Sequence, residues 1–306
     1  MLFRSLAERL GAPVWQEAFG ARAGFPQDHR LFRGQLSASR TGARGALQGA
    51  DVVIVVGAAA FRQYAYEPGR MVDAKTRVVV ITADGAEADR SVADLAVVGE
   101  PAAVVEALVR ELGESDGIEA SQTNRHRPAV DSDAFDAAAV FDVLVDVLPD
   151  DAVIVEESPS SRPQLHERVP ARRPLGFVSA AMGGLGFAMP ASIGVKLALP
   201  GRPVVAVVGD GSAMYAIQSL WTAAHRGVGI VCVVMANGRY AVMDGLAEAA
   251  GGKPVWPDFC DVSVGRLAEA FGCAVVPVGD SAALRDALAD TGERTHPLVI
   301  VATVPA

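Results

Sequence analysis

The residues with the clearest chemical potential are Gly209-Asp210-Gly211-Ser212 and, 27 positions after the aspartate, Asn237. A carboxylate and an amide oxygen are hard donors of the kind Mg²⁺ takes beside water and phosphate oxygens. Gly209 and Gly211 let backbone approach a bulky anion. The surrounding segment, VVAVVGDGSAMYAIQSLWTAAHRGVGIVCVVMAN over 204–237, reads as strand, turn, helix over 215–225, and strand over 229–235. Parallel strands bring both tips to the carboxyl edge of one sheet, where open α/β folds bind ligands. Asp210 and Asn237 are therefore expected side by side, with the free N–H groups of the following helix aimed at the same anion. This pattern predicts a site for phosphate plus magnesium. It is neither a GxxxxGK(S/T) loop nor a GxGxxG fingerprint. At this level an ordinary strand-to-helix turn stays open, with Asp210 as a cap and Asn237 in a left-handed turn before Gly238.

The elements that must hold these residues follow from hydrophobic pattern. Runs such as DVVIVVG at 51–57 and RVVVIT at 77–82 are continuous and β-branched, as in strands buried on both faces of a parallel sheet. In the first half, helical spacing over 5–10 precedes a short strand over 12–15, with a weaker strand over 94–99 and a proline-started helix over 101–112. Apolar periodicity vanishes over 113–133, predicting a linker between domains 1–112 and 134–306. Beyond it come helix 135–148, strand 152–155, helix 187–199, strand 204–208, helix 262–271, strand 274–277, helix 282–289 and strand 298–303. The resulting fold class is α/β, with two doubly wound parallel-sheet domains.

Composition narrows the function classes. The 306 residues are 51% hydrophobic and 21% charged, which suits a packed α/β chain. A net charge of −9 without a basic run predicts no nucleic acid or membrane partner. Three cysteines without a CxxC pair predict neither a disulfide framework nor a zinc site, and a cytoplasmic location is the matching expectation. The five histidines show no metal-ligand spacing. Glu156 and Glu157, adjacent at a strand end, should face opposite ways and so share no role. Cys232, inside an apolar strand, reads as inert core. Met243 and Leu246 fit either a pocket wall or core packing.

The sequence AAMGGLGFAMPA at 180–191, then GDGSAMYAIQSLWTAA, then Asn237-Gly238-Arg239-Tyr240 resembles the diphosphate-binding domain of thiamine diphosphate-dependent 2-keto acid decarboxylases, nearest to the benzoylformate decarboxylase group. Ala12-Pro13-Val14-Trp15, Phe32-Arg33-Gly34 and Tyr66-Glu67-Pro68-Gly69 resemble that group's middle domain, N-terminally incomplete here. The resemblance implies thiamine diphosphate and Mg²⁺ as cofactors and non-oxidative decarboxylation of a 2-keto acid. It implies Mg²⁺ on Asp210, Asn237 and the Arg239 main-chain carbonyl. Diphosphate contacts would come from Ser158, Pro159, Ser160, Gly211, Ser212 and Tyr215, with Gly209 and Tyr240 as further cofactor-binding residues. The Gly183 carbonyl would meet the aminopyrimidine, and Leu185 would be the wedge that bends the cofactor.

The same resemblance places an activating glutamate and a histidine on a separate pyrimidine-binding domain. It therefore implies a partner polypeptide in a homo- or hetero-oligomer, and an isolated chain that binds better than it turns over. Ala236 replaces the first asparagine of the family's closing pair. Tyr64 and Ser179 stand where the benzoylformate group has a histidine and an aromatic residue, which argues against benzoylformate itself as the substrate. A non-catalytic chain that retains the fold and an acetolactate synthase-type carboligase are the competing expectations.

Overall fold

The computed structural model describes residues 2–64, 66–113 and 134–305. These form two compact units, one built from 2–20 and 24–113, the other from 21–23 and 134–305. The expected linker lies outside the described residues apart from Gly113.

The first unit runs α1 (Leu2–Leu10), β1 (Val14–Gln16), β2 (Phe32–Gln35), α2 (Arg40–Ala46), β3 (Val52–Val56), β4 (Arg77–Thr82), α3 (Gly85–Arg90), β5 (Leu95–Val98) and α4 (Pro101–Glu111). Its strands are all parallel but fall into two sheets, β1-β2 and β3-β4-β5. Three elements here escaped the sequence pattern. β2 carries Gly34 at φ 114°, α2 contains Gly42 and Gly45, and α3 is six residues long; none shows a stable apolar period. Ser39 and Asp84 instead start the two helices, each accepting a backbone N–H through its side chain.

The second unit runs α5 (Ala137–Val147), β6 (Val153–Glu157), α6 (Arg162–Arg168), β7 (Phe177–Ser179), a 3₁₀ turn (Ala181–Gly183), α7 (Ala188–Ala198), β8 (Val204–Gly209), α8 (Asp210–Ala213), α9 (Ser219–Arg226), β9 (Val231–Ala236), α10 (Ala241–Ala249), α11 (Val264–Ala270), β10 (Ala274–Val278), α12 (Ser281–Leu288) and β11 (Leu298–Thr303). Its parallel sheet has the order β10-β11-β9-β8-β6-β7. Period-two alternation divides the core between its faces. Val205, Val207, Val231 and Val233 pack with Phe141, Leu144 and Leu284 on one side. Val204, Ala206, Cys232 and Val234 pack with Met189, Leu220 and Ala268 on the other. Helices thus cover both faces, as a doubly wound sheet requires. Among the described residues no helix is long and apolar enough to cross a membrane.

One expectation needs correction. The helix anticipated over 215–225 is broken: α8 ends at Ala213, and α9 starts only at Ser219. The intervening backbone closes in i to i+3 bonds, including Tyr215 N–H to the Ser212 carbonyl, so no long helix backs the Gly209-Asp210 turn. Macrodipole help to an anion there is confined to one short turn.

Close packing at the sheet's opposite, amino edge gives a direct test. A Cβ on Gly229, just before β9, would lie 1.7 Å from the Arg294 carbonyl oxygen. Gly194, inside α7, has nothing within 4 Å of that position. Gly229→Ala should lower stability by about 2 kcal/mol or more through forced backbone displacement, whereas Gly194→Ala should raise it by about 0.5–1 kcal/mol. Urea midpoints followed by circular dichroism check both signs.

Candidate functional site

The carboxyl tips of β6, β8 and β9 are neighbours, because β8 pairs with β6 on one side and with β9 on the other. That ledge gathers most of the singled-out residues. Asp210 follows the tip of β8, is 7% exposed, and accepts the Gly211 N–H on Oδ1 at 2.8 Å and the Gly238 N–H on Oδ2 at 2.6 Å. The second bond ties the end of β8 to the turn after β9, which sets Asp210 beside Asn237. Burial, the largest influence, raises the Asp210 carboxyl above its ordinary 3.8, against amide hydrogen bonds that favour the charged form. The Asn237 side-chain oxygen accepts the Arg239 N–H at 3.1 Å, leaving its second lone pair available.

The turn after β6 supplies the facing wall. Ser158 N–H donates to Glu156 Oε1 at 2.8 Å, and Ser161 N–H closes the turn on the Ser158 carbonyl. Ser160 Oγ accepts the Val242 N–H at 3.1 Å, which joins this turn to the start of α10. Ser158 Oγ is buried without a hydrogen-bond partner. An orphaned buried hydroxyl is costly unless a ligand completes it.

Two further contacts draw in the Gly183 to Leu185 segment. The position a Cβ would take on Gly186 is 3.3 Å from Tyr215 Cβ, so this segment abuts the GDGSAMY turn. On Gly211 a Cβ would fall 2.9 Å from both Tyr240 and Phe259 ring atoms, which explains the glycine: the two rings, T-shaped at 4.4 Å, seal that side of the backbone. Burial, reinforced by the nearby Tyr215 and Asp210 charges, pushes the Tyr240 phenol up and keeps it a neutral donor. Gly183, at φ 71°, sits in a left-handed turn after Met182 at φ 70°. Leu185, Met182 and Tyr215 are all exposed. Met243 and Leu246 are exposed as well, and α10 buries none of its residues, which removes core packing as their explanation.

Glu157 is the residue the sequence understated. Its Oε1 accepts Gly186 N–H at 2.6 Å, and its Oε2 accepts Phe187 N–H at 2.7 Å and Ala188 N–H at 2.6 Å. It therefore caps α7 from another strand and fixes the residues next to Leu185. The legible signal is that α7 begins at Phe187-Ala188 without a capping side chain of its own. Burial drives the Glu157 carboxyl upward, partly offset by those amides. Glu156 faces elsewhere, as strand alternation demands: it accepts Ser179 Oγ–H at 2.9 Å and pairs with Arg162 at 3.2 Å. Ser179 is thus locked in a buried network, with Arg162 donating to it at 2.8 Å. Tyr64, in the other unit, is exposed.

Cys232 is wholly buried, its thiol pushed up to about 12, consistent with inert core. Among the described residues no group of three or more His, Cys, Asp or Glu gathers for a metal. A cation at the ledge must therefore rely on one carboxylate, amide and backbone oxygens, and the oxygens of a ligand. That donor set suits Mg²⁺ with a phosphate, and it fits the orphaned Ser158 hydroxyl.

Comparison with known proteins identifies the family of both units. Residues 2–108 match the model of the thiamine pyrophosphate enzyme central domain. Residues 161–302 match that of the thiamine pyrophosphate enzyme C-terminal TPP binding domain. Benzoylformate decarboxylase of Pseudomonas aeruginosa is 36% identical over 277 residues, covering 88% of this chain and 52% of the relative. Acetolactate synthase isozyme 3 large subunit of Escherichia coli is 27% identical over 333 residues, covering 97% and 55%. Among solved structures, the thiamine diphosphate-dependent 4-hydroxybenzoylformate decarboxylase of Rhodococcus jostii superposes with TM-score 0.93 at 31% identity, covering 98% of this chain and 57% of that one. The chain spans about half the length of the curated relatives it matches.

The Glu157 cap yields a prediction. Glu157→Gln keeps the shape but offers one acceptor oxygen to three amides, so amide exchange at Gly186, Phe187 and Ala188 should accelerate. The cost should be about 1.5–3 kcal/mol, as for hydrogen bonds to a charged group. Unchanged exchange at those three amides would refute the capping role.

Proposed function

Because the chain belongs to the thiamine pyrophosphate enzyme family, we propose that its second unit binds thiamine diphosphate through Mg²⁺ on Asp210, Asn237 and the Arg239 carbonyl, in the service of non-oxidative 2-keto acid decarboxylation. The observation that carries this reading is the buried Asp210 carboxylate, held to the turn of Asn237 by the Gly238 amide. When bound, the cofactor supplies an electron sink for the carbanion left by decarboxylation. The protein's own residues bind and orient it. Ser158 Oγ, Ser212 and the Tyr215 and Tyr240 phenols surround the position for the diphosphate. The Gly183 carbonyl and the Leu185 side chain, in a segment braced through Glu157, would meet the cofactor's rings and hold them for reaction.

Resemblance places the activating glutamate on a pyrimidine-binding domain. We accordingly assign turnover to an oligomer in which such a domain completes the site. The buried Ser179 hydroxyl, occupied by Glu156 and Arg162, supports a 2-keto acid other than benzoylformate, since no aromatic side chain stands there to line a substrate pocket. A carboligase reading draws on the acetolactate synthase relative, whose match covers 97% of this chain. Analysis of products from a 2-keto acid, with the pyrimidine-binding domain added, separates an aldehyde from a condensed hydroxyketone.

Calorimetric titration with thiamine diphosphate tests the binding claim without needing turnover. Asp210→Ala should weaken Mg²⁺-dependent binding by at least about 100-fold, roughly the 2.7 kcal/mol of two decades, with the far-ultraviolet dichroism unchanged. Equal affinity with and without Mg²⁺ in both proteins would overturn it. A proton and the cation compete for the same carboxylate, whose pKa is raised in the folded protein. Affinity should therefore be full above that raised value. It should fall as the pH drops through it, at a higher pH than an ordinary aspartate would require.

A further inference from the structure

Helix α10 has no apolar anchor, since none of its residues is buried, so polar bonds must fix where it and the turn before it sit. Asp244, in its first turn, reaches to both flanks. Its Oδ2 pairs with the Arg239 guanidinium at 3.0 Å, and its Oδ1 accepts the Trp256 indole N–H at 2.8 Å. Its own N–H donates to the Tyr240 carbonyl at 3.0 Å. The carboxylate is largely withdrawn from water, with 14% of the side chain exposed. Over 251–261, by contrast, every residue but Trp256 and Phe259 is exposed. The footholds of that stretch are therefore Trp256 on Asp244, and Phe259 against Gly211 and Tyr240.

The turn enclosed by these bonds leaves one carbonyl open between two that are taken. The Gly238 carbonyl accepts the Phe259 N–H at 2.8 Å, and the Tyr240 carbonyl accepts from Met243 and Asp244. Among the described residues no donor reaches the Arg239 carbonyl between them. The N–H groups of the same turn are fixed, that of Gly238 on Asp210 and that of Arg239 on Asn237 Oδ1. Residue 239 is thus held by its amide on one side and by its side chain on the other. Groups that hold a ligand residue in this way act on a metal site without touching the metal.

We propose that Asp244 is a positioning residue for the cation: steadied by the Trp256 indole, it grips the Arg239 guanidinium and so fixes the Arg239 carbonyl as a donor beside Asp210 and Asn237. The inference rests on the cofactor reading above. It gives the Arg239 side chain, which is itself a cation and cannot ligate one, a favourable effect on cation affinity. Loss of such an outer partner costs a metal site roughly 10- to 100-fold. The Arg239 side chain is 54% exposed, and an ion pair open to water holds less firmly, so the effect here belongs at or below the lower end of that range.

The test titrates the full chain with Mn²⁺ in the presence of thiamine diphosphate and counts free Mn²⁺ by its electron paramagnetic resonance, a readout that needs no turnover. Arg239→Met decides by sign. Removing a positive charge near a cation site strengthens binding by electrostatics alone, whereas releasing the hold on residue 239 weakens it. The expected result is about 3- to 10-fold weaker Mn²⁺ binding in Arg239→Met, with far-ultraviolet dichroism unchanged. Asp244→Asn should lose at least as much, the double variant should lose no more than Asp244→Asn, and Arg239→Lys, which can keep the single contact to Oδ2, should bind nearly as the wild type does. An Arg239→Met variant that binds as tightly as the wild type, or more tightly, overturns the proposal. So does a double variant whose loss is the product of the two single losses, because the residues would then act separately. A wild-type chain that binds thiamine diphosphate equally with and without the cation rejects the cofactor reading itself, and the proposal with it.

Discussion

The second unit's site depends on one constraint: a carboxylate that is both buried and charged must have its oxygens satisfied by groups that hold still. Asp210 meets it with two backbone amides, one from its own turn and one from the turn beyond the neighbouring strand. The consequence is mechanical as well as electrostatic. Two strand tips are pinned together, which sets the proposed donor pair side by side. The same logic recurs at Glu157, where three amides of the α7 start converge on one carboxylate. Together these buried acids fix the phosphate end and the ring end of the proposed cofactor site on one rigid sheet.

Legibility in the sequence followed the physics of burial. Strands buried on both faces announce themselves as β-branched runs, so β4 and β11 fall where the pattern puts them, and β6, β8 and β9 shift by only a residue or two. Asp210 and Asn237 could be placed on one ledge because parallel topology alone forces it. Short elements held by caps, glycines or long-range bonds leave no period to read, which is why β2, α2, α3, α6 and β7 were invisible. The broken helix after Ser212 has the same origin: the stretch to Gln218 has helical composition, but its backbone closes in tighter turns.

Side-chain roles were legible only where local. Glu157 satisfies a helix 29 to 31 residues ahead of it, and Phe259 reaches Gly211 from a proline- and aspartate-rich stretch without periodicity. Neither partnership has a sequence-local signature.

Substituting Mn²⁺ for Mg²⁺ and recording electron–nuclear double resonance in the presence of thiamine diphosphate reads the cation's first coordination sphere. The expected result is one ion per chain with phosphorus hyperfine coupling, and with fewer coordinated waters than free Mn²⁺ carries. A fully hydrated ion showing no phosphorus coupling, with the cofactor nevertheless bound, would contradict it.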